Sequence, residues 1–285
     1  MARVGFPAWQ PYPSVWLIVG LIATAYAVAV VRVGPRSVMP GQPAATRFQI
    51  TCFSAGLAAI WIASDYPIHT LAERYLFSIH MVQHLTYSLV AAPLLLLGCP
   101  AWMARALLSP PGFMRAMRWL ARFFPATVLY NVVLIYTHIP ATVDMALKYG
   151  LAHFLLHALL LLSSLVVWMP ILSPLPEVPR LYPPLAMLYL FLQSVVPTVP
   201  ASFLTFGTTP LYHVYTTFPR LWGISALTDM QVAGLIMKIV GGILLWGVIT
   251  IVFFRWFRRE EAESGPAAAS RELDRELVRL GMTQA

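Results

Sequence analysis

Two pairs of histidines spaced four residues apart, His80/His84 and His153/His157, stand inside apolar stretches long enough to cross a bilayer. A third such stretch ends at His138. Four residues advance a helix by about 6 Å and overshoot one revolution by roughly 40°, so each pair presents both imidazoles on one face. Seven histidines placed at random in 285 positions would give 281 × (7/285)², about 0.17 such pairs, so two pairs are a signal. Imidazole nitrogens ligate both metal ions and haem iron, which makes a metal or haem site in a membrane the chemistry to test. A histidine in a membrane helix can also simply hydrogen-bond its neighbour, and spacing alone leaves that open.

The elements that carry these residues follow from composition. The chain is 59% hydrophobic and 11% charged, with a mean hydropathy of +0.72, outside the range of soluble domains. Apolar segments near the roughly 20 residues needed to span run at about 14–33, 46–64, 75–97, 124–140, 150–170, 183–206 and 230–254. The expected fold is therefore all-α, a polytopic membrane bundle of seven transmembrane helices over residues 1–257, followed by a tail at 258–285. Ala25-Tyr26-Ala27 resembles a signal-peptidase site. The residues before it carry only Arg3 beside Trp9 and three prolines, and the apolar run is too long, so the first segment reads as an uncleaved helix.

Charge sets the expected orientation. Fourteen of the nineteen basic residues, among them Arg32, Arg36, Arg105, Arg115, Arg118, Arg122, Arg255, Arg258 and Arg259, fall on one side of the seven-helix arrangement. Arg3, Arg74, Lys148 and Arg220 fall on the other, and Lys238 lies within the last helix. The positive-inside rule then puts the N-terminus outside and the C-terminus in the cytoplasm of a bacterial plasma membrane protein. The net charge of +8 is a topology signal, with membrane lipids as the contacting surface and no nucleic-acid footprint. On this topology His80, His84, His138, His153 and His157 reach one depth near the outer surface, while His69 and His213 fall in outer loops.

Helix faces point the same way. His80, His84, Tyr87, Ser88 and Ala91 form a polar or small stripe, Thr127, Asn131 and His138 form a second, and His153, His157 and Ser164 a third. Polar groups in a bilayer are costly unless they meet each other or a cavity, so three stripes imply three helices around one interior site. The seventh helix opens with Asp229, Met230 and Gln231. Asp229 is expected either as that helix's N-cap or as a hydrogen-bond partner orienting a ligating histidine. Met230 and Met237 share a face and offer thioethers suited to Cu(I), with plain packing as the alternative. Lys238 lies too deep to reach the surface easily and is expected to meet a polar interior.

The ligand is not identified by imidazoles alone, since copper, zinc, iron and nickel all accept them. Zinc hydrolysis would normally bring a carboxylate between the histidines, and both pairs lack one. Two histidines one turn apart cannot both bind one haem from the same side, whereas a compact ion explains both. Cys52 and Cys99 lack metal-binding spacing, and no phosphate loop or dinucleotide fingerprint is present. A non-enzymatic role is expected.

Several stretches resemble a known family: Phe77-Ser-Ile-His80-Met81-Val-Gln83-His84-Leu85, Ala92-Pro93 with Gly98 after it, Trp168-Met-Pro170, Pro210-Leu-Tyr212, and Asp229-x-Gln231-x-x-Gly234-Leu-Ile-Met237. Together they resemble the multi-span CtaG-type cytochrome c oxidase assembly family, first associated with Gram-positive bacteria, over roughly residues 45–255. The family's usual Asp-Gln-Gln reads Asp229-Met230-Gln231 here. The resemblance implies a role in building a haem-copper oxidase, with copper the expected cargo and cytochrome c oxidase subunits the expected partners. A haem-binding redox protein, a copper-transporting permease and a metal-free scaffold stay open beside it. Residues 101–123 are expected to form a basic amphipathic element at the inner interface, with a solvated basic loop as the alternative. The tail is expected to hold a short helix with Leu273, Leu277 and Leu280 on one face, and Pro197 and Pro200 to bend the sixth span.

Overall fold

The computed structural model describes residues 5–264, 276–279 and 282, and within them the chain is all-helical. Five helices are long and apolar enough to span a membrane: α1 (Pro13–Ser37), α4 (Phe77–Gly98), α9 (Gly150–Leu172), α10 (Pro183–Phe206) and α12 (Ala226–Glu263). Two bent pairs bring the total to as many as seven. They are α2 (Arg47–Ser64) with α3 (Ile68–Arg74), bent by 44°, and α6 (Phe113–Leu120) with α7 (Phe123–Thr137), bent by 88°. Shorter helices α5 (Ala101–Leu107), α8 (Pro140–Lys148) and α11 (His213–Thr217) complete the chain.

Local sequence sets these boundaries. Thr46 and Gln49 form a reciprocal capping box at the start of α2. Prolines open α1, α8 and α10, where the missing N–H costs nothing. Ser225 Oγ accepts from Thr228 N at 3.1 Å to cap α12. The expected bend in the sixth span is present: its helix breaks at Val196–Pro197 and resumes at Thr198. Residues 101–123 form α5 and α6, and the 88° bend turns α6 across the bundle with none of its residues buried. Of the tail, residues 276–279 are helical, and Leu273 and Leu280 lie outside the described residues.

Alternation of the spans gathers all the histidine-bearing ends together and puts Arg105, Arg115, Arg118, Arg180, Arg255 and Arg258 at the opposite end. The core between them is built by Phe77, Met81, Tyr130, Trp168, Tyr189 and Met230 from α4, α7, α9, α10 and α12. α1 lies at the periphery, tied by Tyr26 Oη donating to Gly98 O at 2.9 Å and by Trp16 Nε1 donating to Asp65 at 2.7 Å. Two glycines permit close helix approach. A Cβ on Gly98 would lie 2.6 Å from Phe53 Cα, and one on Gly234 would lie 2.7 Å from Ala201 O.

Candidate metal centre

Six of the seven histidines form one continuous group at one end of the bundle. Successive ring centroids are 5.5 Å apart for His69 and His153, 4.2 Å for His153 and His157, 5.2 Å for His157 and His84, and 5.5 Å for His84 and His138. His80 packs beside this line, 4.5 Å from His84 and 5.2 Å from His157. His80, His84, His138 and His153 are buried and His157 is partly so. Three of them, His80, His84 and His157, each place a ring nitrogen within 4.8 Å of the others. The pairs on α4 and α9 thus face each other, and His138 joins from the end of α7.

Several ring nitrogens are buried without a protein partner. His138 Nδ1 donates to Leu134 O at 2.6 Å, so in the neutral ring Nε2 carries the lone pair, and that atom is buried with no protein hydrogen-bond partner. His80 Nδ1 and His84 Nδ1 are likewise buried and unpartnered. Each orphaned polar atom costs about 1–3 kcal/mol, which a shared cation would recover. His153 Nε2 and His157 Nε2 stand 3.1 Å apart. This is a hydrogen-bond distance between the two rings, and it also lies near the roughly 3.3 Å that separates ligand atoms in tetrahedral ligation with bonds of about 2.0–2.1 Å. The cavity bounded by His80, His84, His157 and Thr137 has a volume of about 10 Å³. That volume suits a single ion or water.

Residues that the sequence left outside the site complete it. α3, turned by the 44° bend after α2, places Glu73 Oε1 2.8 Å from His153 Nδ1 and 3.3 Å from His69 Nε2. A carboxylate beside Nδ1 leaves the Nε2 of His153 turned toward His157 and the cluster. Gln83, fully buried between His80 and His84, donates to Ala63 O at 2.5 Å and lies 3.2 Å from His69 Nδ1. His69 had been expected in an outer loop, and its spacing of four from Glu73 on a short helix was the available signal. The segment between α10 and α12 closes this end. Tyr212 Oη donates to His138 O at 3.0 Å, Tyr215 Oη donates to Ala72 O at 2.8 Å, and Phe77 packs on both rings.

The other expected residues take different places. Asp229 neither caps its own helix, a task Ser225 performs, nor touches a histidine. Its carboxylate accepts Phe77 N at 2.6 Å and Ser78 N at 3.1 Å, together with the Ser78 hydroxyl. It therefore caps α4 from another helix and fixes the start of the helix that carries His80 and His84. Gln231 donates to Gly207 O at 3.2 Å, away from the cluster. Asn131 and Thr127, expected on the His138 stripe, instead form a network with Gln193 at 3.0 and 3.1 Å that joins α7 to α10. Met230 packs in the core. Met237 lines an internal cavity of about 50 Å³ that also reaches His84, His138 and Met81. Lys238, expected in a polar interior, is exposed in a groove on the outside of the bundle.

Against known families, the model described as cytochrome c oxidase caa3 assembly factor matches residues 24–259, most of the chain. No curated protein matches, and no solved structure matches.

Proposed function

The chain belongs to the cytochrome c oxidase caa3 assembly factor family, and from that premise we propose that it binds copper at the histidine cluster and delivers it to the oxidase. One observation carries the reading: His80 and His84 of α4, each with a buried, unpartnered Nδ1, and His157 of α9 bring ring nitrogens within 4.8 Å of one another around an ion-sized cavity. His80, His84, His153 and His157 hold the ion, Glu73 orients His153, and His138 with Met237 and Met81 receives the ion on the inner side. The arrangement suits cargo. Neutral imidazoles bind copper through displaceable donors, and the continuous line from His69 to His138 lets one ligand exchange for the next without an unligated step. The histidine end faces the outer side of the plasma membrane in this reading, supported by the arginines gathered at the opposite end.

Elemental analysis with an absorption spectrum of protein purified from its native membrane tests the proposal. Copper near one equivalent without a Soret band supports it. A Soret band selects the haem reading, and neither metal nor colour selects the scaffold.

A further inference from the structure

Lys238 is the one basic residue placed within the middle of the long α12 span. It lies twelve residues after Ala226 and seventeen before Arg255, or about 18 Å and 25 Å along the axis. A charge at that depth is expensive, and such residues nearly always face an interior or a partner group of opposite sign. Here the side chain is exposed, and among the described residues no carboxylate lies within ion-pair distance of it.

The surface around Lys238 is a groove of about 630 Å³ between α10 and α12. One wall presents Ser194, Thr198 and Ser202, a small residue at each turn, and all three hydroxyls donate to carbonyls of their own helix at 2.7–3.2 Å. The opposite wall carries Lys238, with Gly242 one turn below, where an added Cβ would meet nothing within 4 Å. Small residues that let backbones approach, beside exposed Val199 and Phe203, are the terms in which membrane helices pack. Gly242 and Ser194 also bound the internal cavity that reaches His84 and His138, so the groove lies against the outside of that cavity.

We propose that this groove receives a transmembrane helix of a partner protein carrying a carboxylate at the depth of Lys238. Charge complementarity and depth select the occupant. A lysine stem extended toward the helix N-terminus, as helical Cβ geometry favours, would bring the ammonium to about 12 Å below the histidine-end surface. A phospholipid phosphate would have to sink to meet it, whereas a helix delivers its carboxylate at that level. The inference rests on the assembly role of the family and not on copper. A partner helix seated there would stand next to the cavity wall beside His84 and His138.

The test uses the full chain reconstituted in phosphatidylcholine vesicles with a labelled leucine-based transmembrane peptide. The peptide carries one Glu about 12 Å from its outer end, and a twin carries Gln. Energy transfer is expected to show the Glu peptide bound about tenfold more tightly. Lys238→Met should abolish the difference, and Gly242→Leu, which keeps the charge and fills the groove, should weaken the Glu peptide. Equal binding of Glu and Gln peptides to the unaltered chain would overturn the proposal. So would displacement of the Glu peptide by added phosphatidylglycerol, which would make a lipid headgroup the occupant. Copper content measured on the same samples separates failure of this inference from failure of the metal reading.

Discussion

Replacing Asp229 with Ala removes a carboxylate that is 3% exposed and that accepts two backbone N–H groups and one hydroxyl at the start of α4. An ordinary N-cap is worth about 0.5–2 kcal/mol. Here the acceptor is charged, each charged hydrogen bond contributes about 1.5–3 kcal/mol, and the donors of Phe77 and Ser78 are left buried. Because the three bonds share one carboxylate they do not add, and a loss of about 3–4 kcal/mol is expected. Asn at the same position keeps one acceptor and should recover part of it. The assay is reversible unfolding in mixed micelles, read by helical circular dichroism, alongside copper content. With the α4 terminus loosened, His80 and His84 lose their fixed phase, so copper affinity should fall together with stability and recover partly in Asp229→Asn. A loss below about 1 kcal/mol, or lost copper at unchanged stability, would refute the capping role and make Asp229 a ligand.

Three further outcomes follow from the geometry. Glu73→Gln removes the carboxylate from His153 Nδ1 and should weaken copper binding by about 10–100-fold in chelator competition, with the unfolding midpoint little changed. Gly234→Ala sets a methyl 2.7 Å from Ala201 O and 2.9 Å from Thr205 N, both backbone atoms, and should cost about 1–3 kcal/mol in the same unfolding assay. Copper affinity should decline as pH falls, because each ligand must shed its proton to bind. Titration with a pH-independent copper probe checks the sign.

Much of the bundle is written in its periodicity. The apolar segments coincide with the long helices because a span must satisfy its backbone internally, which leaves length and composition as the dominant signal. The histidine pairs were legible for the same reason, since helical spacing fixes their common face before any partner is known. What escaped depended on contacts across the fold. Glu73 and His69 reach His153 across the fold from the bent segment after α2, and Asp229 caps α4 across 152 positions of sequence. Asn131 shares a helical stripe with His138 in the sequence, yet Gln193 from α10 claims it. Lys238 was read as inward-facing because depth is visible in a sequence and rotational phase in an irregular helix is not. The widened turn at Ile236–Val240 shifts that phase.

X-ray absorption at the copper edge of the purified, copper-loaded chain addresses the central claim most directly. The account predicts about one bound copper with imidazole scattering that diminishes in both His84→Ala and His157→Ala. Absence of bound copper, or a ligand shell unchanged by both substitutions, would contradict it.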